Sequence, residues 1–219
     1  MPPREAVKLQ RILAEQVELR RIAEDFAVLG ASDISYMKPV DRLVAVVLTF
    51  HWPSLEPLES VHAVSPIGFP YVPGLLSFRE IPPLLMAYRL LKRAPDVFLC
   101  DGQGIAHPRR LGLASHLGLC LDIPTIGCAK SRLCGEHRPL ELRRGNYAPL
   151  LLNDVQVGYV FCSRNGVKPI YISPGHLADL DSSRKLIERC LGRFRIPQPL
   201  RQAHLEATRI RKSLFAGSG

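Results

Sequence analysis

Asp33 and Asp101 are the residues in this sequence best suited to chemistry. Asp33 begins the short run 34–36, and Asp101 closes the apolar run 97–100 just before Gly102-Gln103-Gly104. In open α/β sheets, ligand sites gather beyond the carboxyl ends of parallel strands. If the two strands are neighbours, both carboxylates face one point, and each raises the other's pKa until a cation joins them. A hard divalent ion such as magnesium, which takes oxygen ligands, relieves that conflict. Each aspartate alone reads more readily as a turn or cap residue. Glu80 is a third carboxylate, and on spacing alone a capping role wins. Ser77-Phe78-Arg79-Glu80 has the S-x-x-E spacing before a helical run, and Pro82 and Pro83 suit a helix start there.

Tyr71 lies in Phe69-Pro70-Tyr71-Val72-Pro73-Gly74, where two prolines hold an aromatic in a stiff loop. Such a ring could enter a base stack, or simply plug its own loop, which is the plainer reading. His107-Pro108-Arg109-Arg110 precedes a helical pattern. Cations at a helix start oppose the macrodipole, so they make sense if an external phosphate binds there. Lys130 follows the apolar run 124–129 and could point at the same place, to orient a water or steady phosphate oxygens, or be an ordinary surface lysine. His116 and His176 read as structural, and His204 sits among basic residues on the last helix. No nucleophilic Ser or Cys motif and no phosphate-binding glycine pattern occurs. Acids within a basic surround favour metal-assisted phosphodiester hydrolysis over acyl transfer.

The elements that must carry these residues follow from hydrophobic periodicity. A helix is predicted over about 4–29, with Leu9, Ile12, Leu13, Leu19, Ile22 and Phe26 on one stripe and Gly30 as its stop. Strands follow at 34–36, 43–50 and 58–64, with a turn at Lys38-Pro39-Val40-Asp41, which suggests an antiparallel meander. Then come a helix at 81–93, a buried strand at 97–100, a helix at 108–121 with Pro108 in its first turn, and a buried strand at 125–128. Runs 157–161 and 170–173 read as further strands or a hairpin, and 181–191 and 197–214 as helices. The order implies a mixed α/β sheet flanked by helices, in a single domain over 1–219.

The 219 residues are 47% hydrophobic and 22% charged, which suits one folded core. Net charge is +9, so a polyanionic partner or a merely soluble basic surface are both compatible. From Arg184 onward nine basic residues face two acids, a local +7 that suits phosphate tracking or a solvated helix face. The six cysteines form no C-x-x-C pair, which disfavours structural zinc, and Cys100 and Cys128 read as core residues. No run is long and apolar enough for a bilayer, and the charged N-terminus lacks a secretory pattern. The expectation is a cytoplasmic monomer without membrane contact, and Gly217-Ser218-Gly219 reads as a tail.

Several runs together resemble the endonuclease V (deoxyinosine 3′-endonuclease) family. They are Asp33-Ile34-Ser35-Tyr36; Pro70-Tyr71-Val72-Pro73-Gly74-Leu75-Leu76-Ser77-Phe78-Arg79-Glu80; Asp101-Gly102-Gln103-Gly104 through His107-Pro108-Arg109-Arg110-Leu111-Gly112; and Pro124-Thr125-Ile126-Gly127 through Lys130. Ser173-Pro174-Gly175-His176 and Ile196-Pro197, with Arg201 and His204, complete the set. Ala31-Ser32 before Asp33 departs from the usual spelling. The resemblance implies an RNase H-like fold, with three antiparallel strands followed by parallel ones. It implies that Asp33 and Asp101 bind Mg2+ (with Mn2+ substituting), joined by Glu80, which reverses the capping preference. Tyr71 matches a wedge that fills the gap left by a flipped base, and Lys130 and His204 match active-site positions. The segment with Pro70, Pro73, Gly74 and Leu76, and that with His107, Arg109, Arg110 and Gly112, match the region that meets DNA and reads hypoxanthine. The implied activity is cleavage of the second phosphodiester bond 3′ to deoxyinosine, leaving 3′-hydroxyl and 5′-phosphate ends. Action on inosine in single-stranded RNA, or non-catalytic nucleic-acid binding on the same fold, are the rival readings.

Overall fold

A computed structural model describes residues 1–216, with side chains to 214; the tail reading at 217–219 lies outside the described residues. The chain runs α1 (Pro3–Ala14), β1 (Val28–Met37), a 3-10 turn (Lys38–Val40), β2 (Arg42–His51), β3 (Pro57–Pro66), α2 (Leu76–Tyr88), β4 (Val97–Cys100) and α3 (Leu113–Leu121). It continues with β5 (Thr125–Ala129), β6 (Tyr147–Leu152), β7 (Val155–Phe161), β8 (Ile170–Pro174), α4 (Leu180–Arg189) and α5 (Gln198–Ala216). The eight strands form one sheet in the order β3-β2-β1-β4-β5-β8-β7-β6. β1, β2 and β3 are antiparallel, β4 and β5 join β1 in parallel, and β8, β7 and β6 return antiparallel at the far edge.

Helices cover both faces, which is why β2 is apolar without alternation. Its Val44, Val46 and Leu48 pack with Leu29 and Leu99 beneath α4 and α5, through Leu186, Ile187, Leu200 and Ala203. Its Ala45 and Val47 pack with Phe98 beneath α2 and α3, through Ile81, Leu84, Leu113 and Leu117. Cys100 and Cys128 are fully buried core residues, as their apolar surroundings imply. No helix among the described residues is long and apolar enough to cross a membrane.

Four local expectations need correction. The first helix ends at Ala14, because beyond a turn at 15–16 the chain to 27 has no regular structure and spends several of its backbone groups on tertiary partners. Glu18 N–H donates to His176 Nδ1 (3.2 Å), Ile22 N–H to Ser182 Oγ (3.3 Å), and Ala27 N–H to Asp96 Oδ2 (3.0 Å). Gly30 therefore lies inside β1, where a Cβ would come within 2.5 Å of the Phe98 ring. Helix α2 starts at Leu76 rather than 81, with Pro82 and Pro83 in its interior, because Ile81, Leu84 and Ala87 bury against the sheet. Helix α3 starts at Leu113, so His107, Pro108, Arg109 and Arg110 occupy the loop before it. Strand β6 has no counterpart among the predicted elements: Pro149 and consecutive leucines obscure its alternation, yet an edge strand tolerates proline.

Candidate active site

The parallel pairing of β1 and β4 ends at Ser32 opposite Cys100. Asp33 and Asp101 are the next residues on each strand, so the register brings both carboxylates to the carboxyl end of β4. Asp33 is not at the start of its strand: β1 begins at Val28 and continues to Met37 because it pairs with β2 along its full length. Helix α2, lying over β2 and β3, delivers Glu80 to the same place. The three acids, with Ser32, Ile34, Leu84 and Leu113, line a cavity of about 40 Å³. No capping box forms, since α2 has no side-chain cap and Ser77 Oγ instead meets His116 Nδ1 at 3.0 Å.

The electrostatics follow from this crowding. Glu80 is half-buried as a residue, but its carboxyl end is nearly enclosed, and its pKa is pushed up to about 8. Burial is the main cause, followed by Asp33 and then Asp101, with Arg79 opposing. Asp33 is also raised, first by burial and then by Asp101, against lowering contributions from His204 and Lys130. Lys130, the residue after β5, pairs with Asp101, and His204 Nδ1 on α5 donates to Asp33 Oδ2 at 2.9 Å. Arg195 donates to the Lys130 and Pro169 carbonyls and so fixes the backbone that presents this lysine.

Among the described residues, no three carboxylate, histidine or cysteine side chains meet at ligand spacing around one point. Lys130 and His204 hold the two aspartates instead. The donor chemistry nonetheless fits a hard divalent cation: three carboxylates share one small cavity, and Asp33 and Glu80 are held above their ordinary pKa in part by neighbouring negative charge.

A second cavity of about 280 Å³ borders this cluster, lined by Tyr71, Pro73, Gly74, Leu76, Gly112 and Leu113 among others. Tyr71 is 69% exposed at its rim, and Pro70 is exposed beside it. Gly112 has no room for a side chain, since a Cβ would lie 2.3 Å from the Gln103 carbonyl oxygen. His107 and Arg109 do not point outward as a phosphate site would require. His107 is buried, its Nε2 donates to Gly74 O (3.0 Å), and its Nδ1 accepts from Arg109 N–H (3.1 Å). Arg109 Nη2 donates to Gly74 O (2.8 Å), while Arg110 is half-buried near Cys134 with its backbone at φ 60°. Sequence reading missed Gln10 and Arg195, polar residues with no motif to mark them. A larger cavity of about 660 Å³, between residues 21–26 and α4, contains none of these groups.

His176, like His116, is buried and bonded within the protein, as a structural role requires. The C-terminal cations are largely engaged. Arg184 meets Asp181 and Glu188, Arg209 meets Glu206, Arg189 covers Trp52, and Arg201 covers Phe194.

Two buried histidines make acid sensitivity a consequence of the fold. Burial lowers the pKa of His116 to about 4, and burial, then Arg109, lowers that of His107 to about 4, against 6.5 when free. The unfolded chain therefore binds more protons between pH 6.5 and 4, so stability is intact above 6.5 and lost as pH falls through that window. The loss should approach roughly 3 kcal/mol per histidine. Glu80 titrates in the opposite sense. In thermal melts from pH 7 to 4.5, His116→Gln should flatten the decline by about one proton; an unchanged slope would reject a buried neutral His116.

Comparison with known proteins supplies a context for this geometry. A family model described as Endonuclease V matches residues 11–205. A Thermus thermophilus protein described as Endonuclease V is 48% identical over 218 residues, covering 97% of this chain and 95% of its own. The crystal structure of a Streptomyces avermitilis endonuclease V superposes with a TM-score of 0.91 at 36% identity, covering 98% of this chain and 95% of that one. That of a Ciona intestinalis endonuclease V, solved with a 24mer DNA containing an inosine followed by a ribo-adenosine, has a TM-score of 0.84 at 26% identity, covering 96% and 98%.

Proposed function

The chain belongs to the endonuclease V family, and from that premise we propose a magnesium-dependent DNA-repair endonuclease that cuts beside deoxyinosine. Membership makes it a nuclease, an enzyme that hydrolyses phosphodiester bonds. The observation that carries the finer reading is the convergence of Asp33, Glu80 and Asp101, from three separate elements, beside a cavity rimmed by an exposed tyrosine. The inosine-containing DNA bound by the Ciona relative supports the choice of substrate.

Asp33, Asp101 and Glu80 would hold Mg2+, or Mn2+ in its place, whose charge supplies stabilisation for phosphate oxygens and a more acidic water. Lys130, exposed at the end of β5, can leave Asp101 for a phosphate oxygen, because its ammonium loses little by exchanging one anion for another. His204 keeps the Asp33 carboxylate oriented through its Nδ1 proton. Within the 280 Å³ cavity, the backbone N–H groups of Leu76 and Ser77 in the first turn of α2, and of Leu113 in α3, have no protein partner among the described residues. Helix-start amides of this kind favour the carbonyl oxygen of hypoxanthine and oppose the amino group of adenine. Tyr71 takes the vacated place in the stack, worth about 1–3 kcal/mol for an aromatic–base contact. The damaged base stays attached, and the cut falls at the second phosphodiester bond on its 3′ side.

The test uses DNA and RNA strands carrying one inosine, each with an adenosine-matched control, in Mg2+ and then in EDTA. One 3′-hydroxyl and one 5′-phosphate product from the inosine DNA, absent in EDTA, is the expected result. Equal cutting of the control, or cutting in EDTA, rejects the reading; faster cutting of the RNA strand moves it to inosine RNA.

A further inference from the structure

Helix α1 has one buried face, made by Ala6 and Gln10 one turn apart, both 0% exposed. Ala6 packs with Phe69 and Leu75, the residues flanking the Tyr71 loop. Gln10 is a polar side chain in the interior with both its amide nitrogen and its oxygen engaged. Its Nε2 donates to the Gly74 carbonyl at 3.0 Å and to the Leu111 carbonyl at 2.8 Å, and its Oε1 accepts from Arg109 Nε.

The Gly74 carbonyl is the hub of this arrangement. It accepts from Gln10 Nε2, from His107 Nε2 (3.0 Å) and from the Arg109 guanidinium (2.8 Å). Three donors, one of them cationic, share an oxygen with two lone pairs. Gly74 has φ +77°, a backbone conformation that requires glycine here. Leu111 leads into Gly112, on another wall of the same cavity. One amide thus ties together two wall segments that lie 64 and 101 residues away in the chain.

We infer that Gln10 is a positioning residue, which fixes the Tyr71 loop against the Leu111–Gly112 wall so that the base cavity is formed before nucleic acid arrives. The inference rests on the reading of Tyr71 as a wedge and of this cavity as the base pocket. A loop that is already ordered spares the complex the cost of ordering it on binding. The carboxylate cluster is held by other contacts, so loss of Gln10 falls on capture of the extruded base and not on hydrolysis.

The variant is Gln10→Met, which keeps the volume and removes all three hydrogen bonds. A Val157→Ala control, in the separate apolar cluster under β6 and β7, supplies a comparable loss of melting temperature. On a single-inosine DNA strand, KM should rise about tenfold or more with kcat within about twofold, as expected when binding alone loses preorganisation. With 2-aminopurine beside the inosine and Ca2+ in place of Mg2+, the fluorescence rise on base extrusion should shift to correspondingly higher protein concentration. In the free protein, amide exchange at residues 70–77 should quicken in Gln10→Met and not in Val157→Ala. A fall in kcat at constant KM, or equal changes in the Val157→Ala control, overturns the inference. If wild-type protein shows no preference for inosine, the functional reading fails by itself, and the exchange measurement still decides whether Gln10 holds the loop. Should Gln10→Met not fold, Gln10→Glu, which keeps the acceptor for Arg109 Nε and removes both donations to the Gly74 and Leu111 carbonyls, takes the same tests.

Discussion

Asp101→Ala should reduce turnover on an inosine strand in Mg2+ by on the order of a thousandfold or more, a loss of about 4 kcal/mol of transition-state stabilisation. The protein should still fold. Asp101 sits at the end of a strand with its side chain partly exposed, and its partner Lys130, 44% exposed, is solvated when left alone. The variant also relieves repulsion, because Asp101 is one of the charges that raise Asp33 and Glu80. Removing one negative charge near a bound phosphate favours nucleic-acid association. Affinity for the inosine strand, measured by gel shift with Ca2+ in place of Mg2+, should therefore stay within about threefold of wild type or tighten. Unchanged turnover in Mg2+ would remove Asp101 from the metal site and dismantle the proposed mechanism. Loss of binding in parallel with cleavage would instead make the residue part of the substrate surface.

The parts of the fold legible in the sequence are those where local pattern and tertiary demand agree. The continuous apolar runs of β2, β4 and β5 are strands because helices cover both their faces. The N-terminal helix stops short of its own hydrophobic stripe, which continues through Ile22 and Phe26 while the backbone there bonds to His176, Ser182 and Asp96. No periodicity argument sees such distant partners. Asp33 and Asp101 were readable as a pair only on the condition that their strands be parallel neighbours, a condition met by the Ser32–Cys100 register. Glu80 was obscured by a spacing that imitates a capping box, whereas its serine is committed to His116. Lys130 and His204 reach the two aspartates from β5 and α5; the place of Lys130 after an apolar run already suggested a phosphate-facing role, whereas only family resemblance pointed to His204. Gln10 gives no signal at all, since a glutamine on an amphipathic helix ordinarily faces water.

Glu80→Gln should make the metal-free protein more stable while abolishing its activity. With a folded-state pKa of about 8 against 4.5 when free, Glu80 holds a proton in the native protein that the unfolded chain gives up. The native state binds more protons between those values, so this carboxyl costs stability increasingly as pH rises from 4.5 towards 8. At pH 7 the cost is roughly 3 kcal/mol, at about 1.4 kcal/mol per pKa unit. Glutamine has the same shape and no proton to lose, so it removes the cost. In EDTA at pH 7 the variant should melt several degrees above wild type, at about 2–4 °C per kcal/mol for a chain of this size. At pH 4 the two should coincide, because the wild-type carboxyl is then neutral in both states. Saturating Mg2+ should narrow the gap from the other side, since an ion that binds the ionised cluster stabilises only the folded wild type strongly. A variant that melts at or below wild type in EDTA between pH 7 and 8 would show that Glu80 ionises without penalty. The crowding of three acids would then be no reason to expect a cation among them.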